Sequence, residues 1–264
     1  MNTPRIHGAI QRVLRRFGYS VVRTRPTNQL PHDMDLEFTS IYRSTINFTM
    51  TPMVRMYAFY QAVRYVEKHG IAGDIVECGV WKGGSSMVAA LSLLSSESIS
   101  RRLWLYDTFS GITEPNERDA RAIDGIDPHA RWRESQRGEI NEWMYSPLEE
   151  VKANLNSTGY PDNQLVFVQG RVEDTIPGSV PNSIAILRLD TDWYGSTYHQ
   201  LIHLFPLLSP GGVLIIDDYG WWKGCRDATD RYFEENPTPV LLHRIDESAR
   251  IGKKQNLIDP LHLD

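Results

Sequence analysis

Two apolar segments of the chain each end in a pair of carboxylates. In "ILRLDTDWYGST" the apolar run is followed by Asp190 and Asp192, and "GGVLIIDDYGWW" brings in Asp217 and Asp218 in the same way. Burying one unpaired charge costs free energy, and clustering several costs more. We therefore expect a cation to lie beside these side chains or to bind there.

Carboxylate oxygens are hard ligands, which suit Mg²⁺, Mn²⁺ or Ca²⁺ better than zinc. Asp190, Asp217 and Asp218 are the candidate metal ligands. A bound Mg²⁺ would leave positions for two neighbouring hydroxyls of a sugar or a catechol and would lower the pKa of the bound hydroxyl. Asp192 is the candidate general base for the released proton. Asp192 and the metal ligand Asp190 are thus the candidate catalytic residues.

A glycine-containing loop follows another apolar strand, in "ECGVWKGGSS" (77–86). The loop is neither G-x-G-x-x-G nor a Walker A motif. It fits an S-adenosylmethionine site, where the chain passes close under the ligand and where Glu77 is tolerated beside a sulfonium cation. Asp107 ends the next strand and can accept two ribose hydroxyls. An NAD site is the alternative interpretation, since such motifs discriminate loosely.

The segments that must position these residues alternate between strands and helices. Strands are predicted at 74–78, 101–107, 164–170, 184–190 and 211–217. Helices are predicted at 51–70, from about 85 onward, and at 146–160, 196–208 and 223–236; "PVLLHRID" and "ARIGKKQ" are predicted to close the sheet as a hairpin. The strands are continuous apolar runs, which predicts a mostly parallel sheet covered by helices on both faces. Ligands bind outside the carboxyl ends of such strands, so the acidic residues should lie close together.

Charge is distributed unevenly along the 264 residues, whose net charge is −5. Residues 1–32 contain six arginines and no acid, so the remainder is more acidic than the net value indicates. An acidic body argues against nucleic acid as the main ligand. The basic segment places apolar residues at helical spacing, which favours a helix docked on its own domain or on a second subunit. The alternative is a peripheral contact with anionic lipid or glycolipid.

The length and composition favour one sizeable core. We expect a basic N-terminal helix and connecting segment at 1–50, and one catalytic domain at 51–264 with a polar lid at about 112–145. There is no run of about 18 apolar residues and no signal-peptide pattern, and Cys78 and Cys225 share no motif, so a cytoplasmic protein is expected. His199 and His203 lack the Glu of H-E-x-x-H and are interpreted as ordinary helix residues.

Seven segments follow one another in a specific order: "TMTPMVRM", "IVECGVWKGGSS", "LYDTFSGITEP", "LEEVKANL", "GRVEDTIP", "LRLDTDWYGST" and "LIIDDYGWWKGCRDATDRYF". Together they resemble the macrocin, mycinamicin and novobiocin type of sugar O-methyltransferase, over roughly 40–255. The resemblance implies an α/β class I Rossmann-like methyltransferase fold, with a mostly parallel seven-stranded sheet, an N-terminal helical extension and a lid. It also implies S-adenosylmethionine, Mg²⁺, a homo-oligomer and a sugar hydroxyl as acceptor, in a glycoside, glycolipid, polysaccharide precursor or natural product.

The resemblance also implies roles for individual residues. It puts the metal on Asp190, Asp217 and Asp218 and the base at Asp192, with a lid histidine as the alternative base. The implied cofactor contacts are Glu77, Gly79, Ser85, Asp107, Phe109, Gly111, Arg171 and Asp174. Three features depart from the family pattern. Thr191 stands where relatives usually carry Gly, and the lid segment 116–143, with His129 as its one histidine, matches only loosely. The basic N-terminal helix is not typical of the antibiotic enzymes. The acceptor can therefore differ from those of the antibiotic enzymes.

Large aromatic residues flank the paired carboxylates. The candidate walls of the acceptor pocket are Trp193, Tyr194, Tyr219, Trp221 and Trp222, because sugars stack on aromatic faces and pockets are commonly lined by them. Packing in the core or lid is the competing interpretation. At the level of function, the alternatives are a phenol or catechol acceptor with the same metal, a non-catalytic S-adenosylmethionine-binding homologue, and an NAD-linked sugar oxidoreductase. The retained acidic set argues against a non-catalytic protein, since unneeded buried anions cost stability.

Overall fold

The computed structural model describes residue 31 and residues 33–97, 99–120 and 127–255. The chain divides into two compact units, 1–39 and 40–264. Within the first unit, the carboxylate of Asp35 accepts a 2.8 Å hydrogen bond from the backbone N–H of Phe38 and so caps the start of helix α1 (Leu36–Thr45). The predicted basic N-terminal helix lies outside the described residues, and the division at residue 50 stays a prediction.

Seven strands form the main sheet of the second unit. They are β1 (Asp74–Cys78), β2 (Leu103–Asp107), β5 (Leu165–Gln169), β6 (Ile184–Leu189), β7 (Leu208–Ile216), β8 (His243–Arg244) and β9 (Arg250–Lys253). Their order is β5-β2-β1-β6-β7-β9-β8, and the first five are parallel to one another. β9 pairs antiparallel with β7, and β8 pairs antiparallel with β9. The predicted α/β architecture with a mostly parallel seven-stranded sheet is confirmed.

Helices cover both faces of this sheet. They are α2 (Met53–Lys68), α3 (Gly84–Ser95), α5 (Leu148–Asn156), α6 (Val172–Thr175), α7 (Tyr194–Leu204) and α8 (Lys223–Glu235). Successive side chains of a strand point to opposite faces. Ile186 accordingly packs in the cluster that includes residues of α2 and α3, whereas the next residue, Leu187, packs in the cluster that includes residues of α7 and α8. Strands buried on both faces explain the continuous apolar runs in the sequence.

The predicted lid segment contains regular structure in its described part. Helix α4 (Pro128–Ser135) is followed by a hairpin of β3 (Gln136–Arg137) and β4 (Ile140–Asn141). The side chain of Asp127 accepts a hydrogen bond from the backbone N–H of His129 and so caps α4, with Pro128 in the first turn. This Asp-Pro start was visible in the sequence as a helix signal. No helix among the described residues is long and apolar enough to cross a membrane.

Candidate active site

A cavity of about 450 Å³ opens at the carboxyl ends of the central strands. One side is formed by the glycine loop after β1 and by the turns after β2 and β5. The other side is formed by the acidic turns after β6 and β7 and by the segment that leads into α2. These two sides are called the glycine-loop half and the acidic half. The position agrees with the rule that ligands of an open α/β sheet bind outside the carboxyl ends of its strands.

Glycine is required in the loop after β1 because the chain passes close to a neighbouring backbone. Gly79 has a φ of +86°, and a Cβ there would lie 2.0 Å from the carbonyl oxygen of Asp190. The backbone N–H of Asp190 in turn donates to the carbonyl of Cys78 at 2.8 Å. The glycine loop and the first acidic turn are therefore packed directly against each other. Any side chain at Gly79 would push the two halves apart.

Asp107 fixes the shape of the glycine loop. Its Oδ2 accepts hydrogen bonds from the backbone N–H groups of Val80 at 2.7 Å and Trp81 at 3.1 Å, and its Oδ1 accepts one from Phe109 at 2.8 Å. Burial raises the pKa of Asp107, and the three N–H donors oppose that rise. The residue also lines the cavity. Oδ2 already accepts two hydrogen bonds and Oδ1 accepts one from the backbone, so a ligand hydroxyl would contact Oδ1.

The other predicted cofactor residues divide into two groups. Gly79, Ser85, Asp107, Gly111 and Arg171 line the cavity; Glu77, Phe109 and Asp174 do not. Phe109 is buried and packs at a tilt against Phe167, 6.5 Å between ring centroids. Asp174 is exposed, and its neighbour Glu173 lines the cavity instead. The geometry therefore does not favour direct cofactor contacts at Glu77, Phe109 and Asp174.

Glu77 lies behind the cavity wall, where its carboxylate is 2.5 Å from a guanidinium nitrogen of Arg188 and accepts a hydrogen bond from Ser86. Burial raises the pKa of Glu77, and Arg188 and Ser86 oppose the rise. The sequence interpretation placed a cation beside Glu77 correctly but took that cation to be a sulfonium. In the structure it is an arginine of the neighbouring strand.

Three acidic side chains gather on the opposite half, as predicted. Asp190, Asp217 and Asp218 each offer an oxygen within 4.8 Å of the others. Oδ2 of Asp218 is buried and has no hydrogen-bond partner among the described residues. Burial, followed by the charges of Asp192 and Asp190, raises the pKa of Asp218 well above its usual range. A buried oxygen without a donor, among hard oxygen ligands, fits a divalent cation.

Asp192 lies next to this group in a constrained backbone conformation, with a φ of +67°. Its Oδ1 accepts a 2.6 Å hydrogen bond from the indole N–H of Trp222. Burial raises the pKa of Asp192 to about 8, with a further contribution from the charge of Asp190, whereas the bond from Trp222 opposes the rise. Burial likewise raises the pKa of Asp190 to about 7, against the attraction of Arg188. Both carboxyls line the cavity.

The sequence reasoning missed two arginines that partly neutralise the acidic half. Arg188 is 2% exposed, and its guanidinium lies 2.8 Å from Asp190 and 2.9 Å from Asp217. Arg55, near the start of α2, lies 2.6 Å from the other oxygen of Asp217 and 2.6 Å from Asp246. A lone arginine in the apolar run "ILRLD" was a visible signal for the first. The second depends on how α2 is placed over the sheet.

The structure divides the residues of the predicted acceptor wall. Of the five, Trp221 and Trp222 line the cavity. Trp193 is 2% exposed and donates its indole N–H to the carbonyl of Thr113, so it belongs to the core. Tyr194 lines a separate surface groove, and the hydroxyl of Tyr219 donates to Asp230. Loop geometry after each acidic pair turns these rings away from the cavity.

Three further side chains of the wall were not predicted. Trp143, Met144 and Arg131 line the cavity beside Trp222. Trp143, Trp193 and Trp222 pack edge to face, and the Arg131 guanidinium lies 4.7 Å from the centre of the Trp143 ring. The two histidines of α7 face a different region, where His199 Nε2 is 2.9 Å from the carbonyl of Ile176. His129 does not line the cavity, which leaves Asp192 as the better placed base.

Comparison with known proteins assigns this arrangement to a family. The Macrocin-O-methyltransferase (TylF) family matches residues 11–254 of the chain. The chain belongs to the macrocin O-methyltransferase family. It is an S-adenosylmethionine-dependent O-methyltransferase, and the resemblance inferred from the sequence motifs is confirmed.

This macrocin-type methyltransferase is similar to two named O-methyltransferases and to one solved structure. It is 39% identical over 188 residues to the 8-demethyl-8-(2,3-dimethoxy-alpha-L-rhamnosyl)-tetracenomycin-C 4'-O-methyltransferase of Streptomyces olivaceus, covering 71% of this chain and 68% of the relative. It is 34% identical to the mycinamicin III 3''-O-methyltransferase of Micromonospora griseorubida, covering 78% of each. The structure of the O-methyltransferase NovP matches with a TM-score of 0.68 at 31% identity, covering 79% of this chain and 83% of that one.

Proposed function

We propose that this chain is a Mg²⁺-dependent enzyme that transfers the methyl group of S-adenosylmethionine to a sugar hydroxyl. The observation that carries the proposal is the meeting of two features in one cavity: the glycine loop with Asp107, and the acidic group with an unpartnered oxygen on Asp218. The acceptor class rests on the relatives that methylate a rhamnosyl group and mycinamicin III. A glycoside, glycolipid, polysaccharide precursor or other natural product could carry that sugar.

Asp190, Asp217 and Asp218 would hold the metal. Bound there, Mg²⁺ would supply Lewis acidity that lowers the pKa of an acceptor hydroxyl and would orient that hydroxyl. Asp192 would take the hydroxyl proton on Oδ2, because Oδ1 is occupied by the indole N–H of Trp222. Burial raises the pKa of Asp192, and a bound cation would favour its ionised form, so that the carboxylate can accept the proton.

The remaining residues would orient the reactants and exclude water. Asp107 accepts hydrogen bonds from three backbone N–H groups and so holds the glycine loop in place, which fixes the surface under the methyl donor. Trp143 and Trp222 form an apolar wall beside Asp192, where a low local polarity strengthens the interactions that stabilise charge. The attacking oxygen, the methyl carbon and the departing sulfur then need only an in-line arrangement, so positioning carries most of the rate enhancement.

The test is calorimetric titration of S-adenosylmethionine, and separately of NAD, into the protein with Mg²⁺ and with EDTA. We expect micromolar binding of S-adenosylmethionine and none of NAD. Methyl transfer is then assayed on a panel of rhamnosides, other glycosides and catechol with either Mg²⁺ or EDTA. Turnover of sugars that EDTA abolishes is the expected result. Transfer to catechol alone, or transfer that EDTA leaves unchanged, would contradict the sugar or the metal part respectively.

Three further expectations belong with this proposal. We propose a homo-oligomer, checked by light scattering coupled to gel filtration. We propose that the enzyme works in the cytoplasm, which cell fractionation tests. The basic segment in residues 1–32 is the candidate for contact with anionic lipid or glycolipid. Vesicle flotation of the full chain with and without 20% anionic lipid tests that contact, and equal recovery from both vesicle types would contradict it.

A further inference from the structure

Glu77 and Arg188 form a buried pair that spans two neighbouring strands. They lie opposite each other in the register of β1 and β6, and both side chains are 2% exposed. Because successive side chains of a strand point to opposite faces, both residues lie on the face of the sheet covered by α2 and α3. Asp217, two residues after Ile215, lies on the same face. Glu77 does not line the cavity, so it does not meet the ligands of the enzyme directly.

The guanidinium of Arg188 is shared between three carboxylates. Its Nη1 is 2.5 Å from Glu77 and 2.8 Å from Asp190, and its Nη2 is 2.9 Å from Asp217. The second oxygen of Glu77 accepts a hydrogen bond from Ser86 at the start of α3, which fixes the carboxylate in place. Glu77 is therefore an anchored acceptor that competes with two metal ligands for one cation.

We infer that Glu77 is a positioning residue for the metal site: it shares the Arg188 guanidinium, which also contacts Asp190 and Asp217, and so weakens the hold of the arginine on these two carboxylates and lets a divalent cation compete for them. The inference rests on the proposed Mg²⁺ dependence. An arginine and a metal ion use the same carboxylate lone pairs, so a guanidinium bound fully to Asp190 and Asp217 would exclude the metal.

Loss of the Glu77 charge has two effects of the same sign. The guanidinium loses its most buried acceptor and is left to the two metal ligands. The region around the metal also becomes more positive by one charge, which disfavours a divalent cation. Groups that orient metal ligands from behind are worth about 10- to 100-fold in metal affinity. Glu77→Gln keeps the shape of the side chain and one acceptor oxygen for Arg188, and its amide NH₂ can donate to the Ser86 hydroxyl, so it removes chiefly the charge.

The probe is Mn²⁺ alone, whose free and bound forms are distinguished by electron paramagnetic resonance in titrations of the full chain. We expect Glu77→Gln to weaken Mn²⁺ binding at least tenfold. Calorimetric affinity for S-adenosylmethionine in EDTA should stay within about twofold, because Glu77 does not line the cavity. The matched control is Glu67→Gln, which breaks a somewhat less buried pair with Arg101 away from the cavity and should leave Mn²⁺ affinity unchanged.

A double-mutant cycle with Arg188→Met tests whether Glu77 acts through the arginine. Glu77→Gln should weaken Mn²⁺ binding much less in the Arg188→Met background, because the competing guanidinium is gone and only the change in local charge remains. The double variant also removes both partners of the buried pair, which is often tolerated when removal of one partner is not. It therefore keeps the test usable if a single variant fails to fold.

The outcomes separate the inference from the proposal on which it rests. If the wild-type chain binds no Mn²⁺, the proposed metal site fails. If the wild type binds Mn²⁺ and Glu77→Gln binds it equally well, Glu77 has no role at the metal site. Equal weakening in both backgrounds means that Glu77 acts by its charge without Arg188, which overturns the inference. Loss of S-adenosylmethionine affinity with unchanged Mn²⁺ affinity would return Glu77 to a cofactor role.

Discussion

The two halves of the cavity satisfy their carboxylates in different ways. In the glycine-loop half, Asp107 accepts three hydrogen bonds, from the backbone N–H groups of Val80, Trp81 and Phe109. In the acidic half, Asp190 and Asp217 depend on a guanidinium that they share with Glu77. Oδ2 of Asp218 has no partner within the part of the chain that the structure describes.

This difference shows which half of the cavity needs a bound ligand to complete it. Backbone donors are neutral and fixed, so the glycine-loop half is organised whether or not the methyl donor is bound. The acidic half carries more carboxylates than its arginines can pair with, and like charges held close together raise one another's pKa. A divalent cation would remove that repulsion.

Asp192→Asn should give the largest loss, a fall in kcat of about a thousandfold, because it removes the proposed proton acceptor. Asparagine keeps the size of the side chain, and its carbonyl can still accept from Trp222. Single-turnover methyl transfer at saturating S-adenosylmethionine and Mg²⁺ measures the effect. Affinity for S-adenosylmethionine, measured by calorimetry, should remain unchanged. A kcat within tenfold of the wild type would move the base elsewhere.

Asp107→Asn should weaken the binding of S-adenosylmethionine and spare the metal, whereas Asp218→Asn should weaken the binding of the metal and spare S-adenosylmethionine. In Asp107→Asn an amide replaces a carboxylate that faces three N–H donors, and a misplaced donor costs about 1–3 kcal/mol, so S-adenosylmethionine should bind about tenfold or more weakly. Mn²⁺ affinity should stay unchanged.

Asp218→Asn should abolish the rise in Tm that Mg²⁺ gives the wild type by mass action, while S-adenosylmethionine binds normally. If either variant weakened both ligands equally, the two halves would not be separable.

The metal-free protein should lose stability as the pH rises from about 5 to about 8.5. Asp190 and Asp192 have folded-state pKa values raised to about 7 and about 8, above the ordinary 3.8, chiefly by burial. The folded state therefore binds protons more strongly than the unfolded state, so the stability these groups provide is present at low pH and lost as they ionise. Bound Mg²⁺ favours the ionised forms. The rise in Tm caused by Mg²⁺, relative to EDTA, should thus be larger at pH 8.5 than at pH 6; a constant rise across this range would contradict the argument.

Much of the fold and the meeting of the acidic residues could be predicted from the sequence. Continuous apolar strands alternating with helices define a parallel sheet, and the carboxyl ends of its strands share one edge, so the pairs after β6 and β7 had to meet. What could not be read was the partner of each charge. The role of Arg55 requires the start of α2 to lie over β7, which is a long-range packing result. Arg188 was visible in its apolar strand, but its three-way sharing depends on strand register.

The aromatic residues show a second limit of the sequence. Trp193 follows Asp192, whose positive φ reverses the direction of the chain, so the indole turns into the core. Sequence spacing shows that a tryptophan lies near the acids and does not show which way a constrained turn sends it. The same limit applies to Tyr219, which follows Asp218 and stacks below Arg250, 4.8 Å from guanidinium carbon to ring centre.

The smallest predicted effect follows from that correction. Trp221→Leu should raise the KM for a sugar acceptor about tenfold with kcat little changed, because a ring that lines the cavity contributes binding to substrate and transition state alike. Tyr219→Phe should leave both constants unchanged, since its hydroxyl is bound to Asp230 and the ring does not line the cavity. Steady-state kinetics on one turned-over glycoside measures both variants. A raised KM for Tyr219→Phe with a normal one for Trp221→Leu would mean that the acceptor approaches over the β8–β9 side of the acidic half, and the cavity wall would have to be redrawn there.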